Sequence, residues 1–187
     1  MGGNEKARED ERDLIRRAKA YDASAFAEIY ERYYQGVYTY VCYRVSDSSL
    51  AEDLAADVFV RALESIGTFS VREGTAFSAW LYRIANNLVI DYYRLRPREH
   101  VLLAEDSVFS DDDEPAEALD RKLTAERLQR ALLHLTEDQR QVILLRFVDG
   151  FRSDQIAHVL GKSEAAVKSL QHRAVLSLSR ILGVPEQ

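Results

Sequence analysis

Apolar positions recur at helical spacing along most of the chain, and the places where the pattern breaks divide it into elements. Residues 1–20 are dense in charges of both signs, with Leu14 and Ile15 as their only strong apolar pair, which predicts a frayed tail leading into a short helix. Asp22 or Ser24 can cap a first core helix marked by Phe26, Ile29, Tyr30, Tyr33, Val37, Tyr40 and Val41. Asp47, Ser48 and Ser49 interrupt it, and Ser49 with Glu52 has capping-box spacing for a second helix running to about Ile66. Its inner stripe is Leu54, Ala55, Val58, Phe59, Ala62 and Ile66. Its outer face is Asp53, Asp57, Val60, Arg61 and Glu64. Residues 67–76, with two glycines and little periodicity, form a loop. In the helix predicted over 77–95, Leu81, Ile84, Ala85, Leu88, Val89 and Tyr92 face inward. Arg83, Asn87, Asp91 and Arg94 align opposite them, with Trp80 on the same polar side.

The pattern then stops. Arg94, Arg96 and Arg98 around Pro97 are followed by 99–118, where Glu105, Asp106, Asp111, Asp112, Asp113, Glu114 and Glu117 gather around Pro115. That composition is a flexible acidic linker. Periodicity resumes with Leu119, Leu123, Leu128, Leu132 and Leu133. Thr136 then caps a helix with Val142, Ile143, Leu145 and Phe147 inside. After Asp149 and Gly150, residues 153–160 carry Ile156, Ala157 and Leu160 on one face. Gly161 breaks this helix, and Ser163 caps another running to about Leu182. The expected fold class is all-α: two small helical domains, the second containing a helix-turn-helix, joined by the linker. The divisions are a charged tail at 1–20, a first domain at 21–98, the linker at 99–118 and a second domain at 119–184.

Composition narrows the class. A length of 187 residues suits one or two small domains. No run approaches the roughly 18 apolar residues of a membrane span, and the N-terminus lacks the apolar core of a signal peptide, so no membrane insertion and a cytoplasmic location are expected. The single cysteine, Cys42, excludes an internal disulfide and a Cys-rich metal site; among Tyr40, Val41 and Tyr43 it reads as a small core residue. His100, His134, His158 and His172 have no ligand spacing, so no metal or other cofactor is expected.

The net charge of −6 argues against a free-standing nucleic-acid binder, but its distribution answers the objection. From 162 to 180 the only acidic residue is Glu164, against Lys162, Lys168, Arg173 and Arg180. On the last helix Val167, Leu170, Ala174, Leu178 and Ile181 form the inner side. Ala165, Lys168, Ser169, His172 and Arg173 form an outer face of small residues interleaved with donors, which can enter a major groove. A solvated helix on an ordinary bundle has the same outline. For Trp80 two readings stay open: an indole that stacks on an unpaired base, or one covered by the preceding loop.

Three stretches, AEDLAADVFVRAL (51–63), FSAWLYRIANNLVIDYYR (77–94) and LTEDQRQVILLRFVDGFRSDQIAHVLGKSEAAVKSLQHRA (135–174), resemble in order and spacing the extracytoplasmic-function sigma factors of bacterial RNA polymerase, within the sigma-70 family. The resemblance spans about 22–182 and implies region 2 and region 4 domains, no catalysis, and promoter-specific initiation with restraint by an anti-sigma protein. It assigns Asp53, Leu54, Asp57 and Val60 to the clamp helices of the polymerase's largest subunit, with the flap of the second-largest subunit as a further partner. It assigns Trp80, Arg83, Asn87, Asp91 and Arg94 to the minus-10 element of promoter DNA, and the 67–76 loop to a flipped base. Lys162, Ala165, Lys168, Ser169, His172 and Arg173 fall to the minus-35 element. Primary sigma factors carry an aromatic pair where this chain has Trp80-Leu81, which implies weaker duplex opening here. Ala165-Ala166 and Leu170-Gln171 depart from the common Gly-Thr and Arg-Leu and imply an altered base preference; Ala56 replaces a commonly polar residue at the polymerase contact. A stand-alone regulator and a histidine metallohydrolase are the alternatives from other classes. The first would bind its operator tightly without polymerase, and the second would carry metal.

Overall fold

The computed structural model describes residues 2–45, 47–70, 76–95, 127–128 and 130–183, with side chains from Glu9 onward. The expected linker, residues 71–75 of the expected 67–76 loop and the arginines after Arg94 lie outside the described residues. All regular structure among those described is helical.

The residues expected as a frayed tail instead form helix α1, Gly2–Lys19. Leu14, Ile15 and Ala18 give it a narrow apolar seam buried against the first domain. Two polar contacts fasten it: the Tyr33 hydroxyl donates to Glu11 at 2.6 Å, and Lys19 Nζ donates to the Phe69 carbonyl at 2.8 Å. Helix α2, Ala23–Cys42, is capped by Asp22, whose carboxylate accepts from the Ser24 and Ala25 amides. Helix α3, Ser48–Ser65, starts at Asp47 and not at the Ser49–Glu52 box, because the Asp47 carboxylate already accepts from the Ser49 and Leu50 amides at 2.8 and 3.2 Å. A single 3₁₀ turn, Ile66–Thr68, follows. Helix α4, Phe77–Leu95, packs against both α2 and α3, and α1 closes over α2. Cys42 is half-buried at the end of α2.

In the second domain Thr136 and Gln139 exchange side-chain-to-backbone bonds in a capping box that opens α5, Glu137–Ile143. The chain widens into a π-helical turn, Leu144–Val148. That turn shifts the side-chain phase, so Phe147, expected inside, is 63% exposed. Helix α6, Ser153–Leu160, ends at Gly161 with φ +64°. Ser163 caps α7, Glu164–Leu182, by accepting from the Ala166 amide at 3.2 Å. Val167 and Ala174 are fully buried along α7. Ile181, expected inside, is exposed, because α7 runs past the helices beneath it.

The two domains touch. One continuous apolar core joins Leu81, Ala85 and Val89 of α4 to Val142, Leu145, Ile156, Val159 and Val167. A smaller cluster of Leu132, Leu135, Ile143, Leu144 and Ala174 receives Tyr43 from the end of α2. Helices α4 and α6 pack as extensively as the neighbours within the first domain.

Candidate nucleic-acid and polymerase interfaces

Helix α7 presents Ala165, Lys168, Ser169, His172 and Arg173 on one exposed face. The face is set by geometry at its start: the left-handed Gly161 turns the chain sharply, the Ser163 cap fixes the first turn, and burial of Val167 fixes the rotation. Its cations differ in availability. Lys162 is half-buried and pairs with Asp138 at 2.9 Å, while Lys168 approaches Glu164 only at 3.9 Å and both ends are solvated. Arg173 donates Nε to the Ser169 carbonyl at 3.3 Å. His172 stands exposed between them. Small residues beside mobile donors, on a helix held rigidly from behind, can approach base edges and phosphates together.

The polar side of α4 is less open than its pattern implies. Asn87 and Arg94 are exposed, and Arg94 pairs with Asp91 at 3.3 Å. Arg83 reaches the second domain and donates to the His158 carbonyl at 3.2 Å. Trp80 does not stand bare. Its ring lies 5.0 Å from Phe69 and 5.3 Å from Phe77, within an aromatic cluster to which the 67–76 loop contributes Phe69. The loop-covered reading therefore describes Trp80 in this state.

On α3, Asp53, Asp57, Val60, Arg61 and Glu64 are all exposed and form one outward face, mainly acidic. Val60 is 54% exposed, an apolar centre within that rim. Leu54 is the exception. At 7% exposure it belongs to the core and supports the face from beneath, because its position falls on the inner stripe.

The sequence pattern did not reveal the polar groups between the domains. Arg44, 2% exposed, donates from one guanidinium to Asn86 Oδ1 at 2.7 Å, to the Tyr40 hydroxyl at 3.0 Å and across the interface to Glu137 at 3.2 Å. Asn86 donates in turn to the Val159 carbonyl at 3.4 Å. The Tyr82 hydroxyl donates to Asp149 Oδ1 at 2.7 Å, and its ring meets Phe151 edge-on at 4.8 Å. Burial pushes the Asp149 carboxyl up to about 6, against the lowering effect of the Tyr82 hydrogen bond. Burial, and next the Arg83 charge, push the His158 imidazole below its usual value. The available signal was Asn86, an amide one residue from Ala85 on the buried side of α4.

Two helical domains, one with an acidic outer face and one with a helix-turn-helix, are the architecture of a modular DNA-binding factor. The family models for Sigma-70 region 2 and Sigma-70 region 4 match residues 29–99 and 125–178. The chain is 38% identical over 91% of its length to the ECF RNA polymerase sigma factor BldN of Streptomyces coelicolor, of which it spans 65%. It is 34% identical to the ECF RNA polymerase sigma factor SigX of Bacillus subtilis, covering 83% of this chain and 82% of that one. Its fold is similar, with a TM-score of 0.70, to that of the sigma factor RpoE of Bartonella quintana solved with the anti-sigma factor NepR. The likeness covers 86% of this chain and 98% of that one at 24% identity. The chain belongs to the extracytoplasmic-function sigma factors of the sigma-70 family. Among the described residues no helix is long and apolar enough to cross a membrane.

Proposed function

We propose that this protein acts in the cytoplasm as a sigma factor that seats on core RNA polymerase through the outer face of α3 and reads promoters with α4 and α7. Asp53, Asp57 and Val60 would meet the basic clamp helices of the largest subunit, with Leu54 behind them, and the second domain would meet the flap of the second-largest subunit. Arg83, Asn87, Asp91 and Arg94 address the minus-10 element, with Trp80 joining them if its aromatic cluster opens. Ala165, Lys168, Ser169, His172 and Arg173 address the minus-35 element, with Lys162 at the edge. The protein is a binding factor, and the chemistry of RNA synthesis stays with the polymerase. Restraint by an anti-sigma protein follows from kinship with the NepR-bound factor.

The observation that carries this reading is the acidic, apolar-centred face of α3, exposed along its length and standing off the buried stripe. The double substitution Asp53→Lys and Asp57→Lys reverses its sign without touching the core. Co-purification with core polymerase and promoter-dependent transcription should both be lost, while far-UV circular dichroism stays that of the parent. A double variant recovered with core polymerase at parental yield would place the docking face elsewhere.

A further inference from the structure

Beyond the turn that joins it to α2, helix α1 reaches the first domain through two polar contacts among the described residues, and they fall on the two ends of one aromatic cluster. The rings of Tyr33, Phe77, Phe69 and Trp80 follow one another at centroid distances of 5.6, 5.4 and 5.0 Å, and Phe77 also lies 5.3 Å from Trp80. At one end the Tyr33 hydroxyl donates to Glu11, and at the other the Phe69 carbonyl accepts from Lys19. The seam of Leu14, Ile15 and Ala18 holds α1 in place for both. Phe69 and Phe77 are buried, whereas Trp80 is half-buried and stands on the side of α4 that carries Arg83 and Asn87.

The rings differ in their freedom to move. Phe77 and Trp80 share the first turn of α4 and move with it. Phe69 lies outside any helix, in extended backbone with φ −60° and ψ 126°, after the 3₁₀ turn. A base that stacks on the indole needs a ring face, and Phe69 lies against that ring at a tilt of 42°. Withdrawal of Phe69 is thus the least disruptive way to clear Trp80. Two things resist it: burial of the phenyl ring, and the Lys19 ammonium on the carbonyl, a charge-assisted bond in a half-buried place.

We propose that α1 sets how readily Trp80 reaches an unpaired promoter base, through Lys19 on Phe69 and Glu11 on Tyr33. With both bonds made, the cluster is shut and the indole is covered. When they give way Phe69 withdraws, and the indole is free to stack. The inference deepens the sigma-factor reading and rests on it. Lys19 and Glu11 are positioning residues, which act only through rings in contact with Trp80 or with its neighbours. Duplex opening then includes the cost of breaking the hold of α1, so a weaker hold gives faster opening.

Trp80 is the only tryptophan of the chain, so its fluorescence reads the cluster directly in the intact protein. Acrylamide quenching of the free protein should rise about threefold in the double variant Lys19→Met with Tyr33→Phe, which removes both bonds and keeps all the rings. The holoenzyme of that variant should open a promoter duplex about fivefold faster, read as permanganate reactivity of unpaired thymines. Lys19→Arg, which can still donate to the carbonyl, should keep both parental values. In a Trp80→Ala background, on a mismatched promoter that keeps opening measurable, the same double substitution should leave the rate unchanged, because the ring it acts through is gone. General loosening of the domain would instead change the rate with or without Trp80 and lower the yield with core polymerase. That result, or quenching equal to the parent's, or slower opening as expected of a lysine that holds phosphate, would overturn the role of α1. Failure of the sigma-factor reading looks different: the parent protein with core polymerase would yield no promoter-dependent transcript, even where quenching of the free variant rises.

Discussion

Three cations border the outer face of α7, and their neighbours rank them. Lys162 is held by Asp138 at 2.9 Å, Lys168 is loosely offset by Glu164, and Arg173 makes no ion pair among the described residues. A cation already neutralised by its own chain releases fewer counterions from DNA. Replacing Arg173 by Ala should therefore weaken holoenzyme binding to the promoter most and Lys162→Ala least, with Lys168→Ala between them. If Arg173 or Lys168 reads a base edge the loss is about 1–3 kcal/mol and sequence-dependent; if it holds phosphate, the salt slope falls by about 0.9. Fluorescence anisotropy on promoter duplex at several salt concentrations separates the cases. Equal effects of all three would mean that the ion pairs dissolve on binding.

Between Leu160 and Glu164 the chain turns on two residues, Gly161 in the left-handed region and Ser163 at the cap. Gly161→Val forces a branched side chain into that conformation and should cost about 1–2 kcal/mol. Ser163→Ala removes the bond to the Ala166 amide and should cost about 1 kcal/mol. Urea unfolding monitored by circular dichroism reads both, and a Gly161→Val midpoint equal to the parent's would refute the turn. These same local signals explain why α6 and α7 could be placed from sequence, since a glycine stop and a serine cap act within one turn. The inner stripes of α3 and α4 were legible for a similar reason, being periodic over five turns or so. Other features were not local. The π-helical turn that throws Phe147 outward leaves no mark in the periodicity, and α1 was underestimated because its seam is only Leu14, Ile15 and Ala18. Leu54 was assigned to a surface by resemblance although its own spacing placed it in the core.

At the scale of the molecule, sequence reading separated the domains by a linker and could not foresee that they dock, since Tyr82 and Asp149 lie 67 residues apart. The docked seam holds two groups that titrate in opposite senses. Asp149 faces Tyr82 and Tyr40 of the first domain, with Arg44 and Glu137 farther along the seam, and is raised from 3.8 to about 6 by burial. A raised carboxyl favours the closed state fully below 3.8 and loses that contribution as pH climbs to about 6. His158, facing Arg83, is lowered from 6.5 by burial, so it favours the closed state above that value and less as pH falls. On acidification the carboxyl thus draws the free protein toward the closed seam, while the histidine draws it the other way. In Asp149→Asn only the histidine remains, so acidifying from about pH 7.5 to about pH 5 should open the seam more than it does in the parent. Spin-label distances across this range read both slopes. Parallel slopes in parent and variant would show that Asp149 does not sense the separation of the domains.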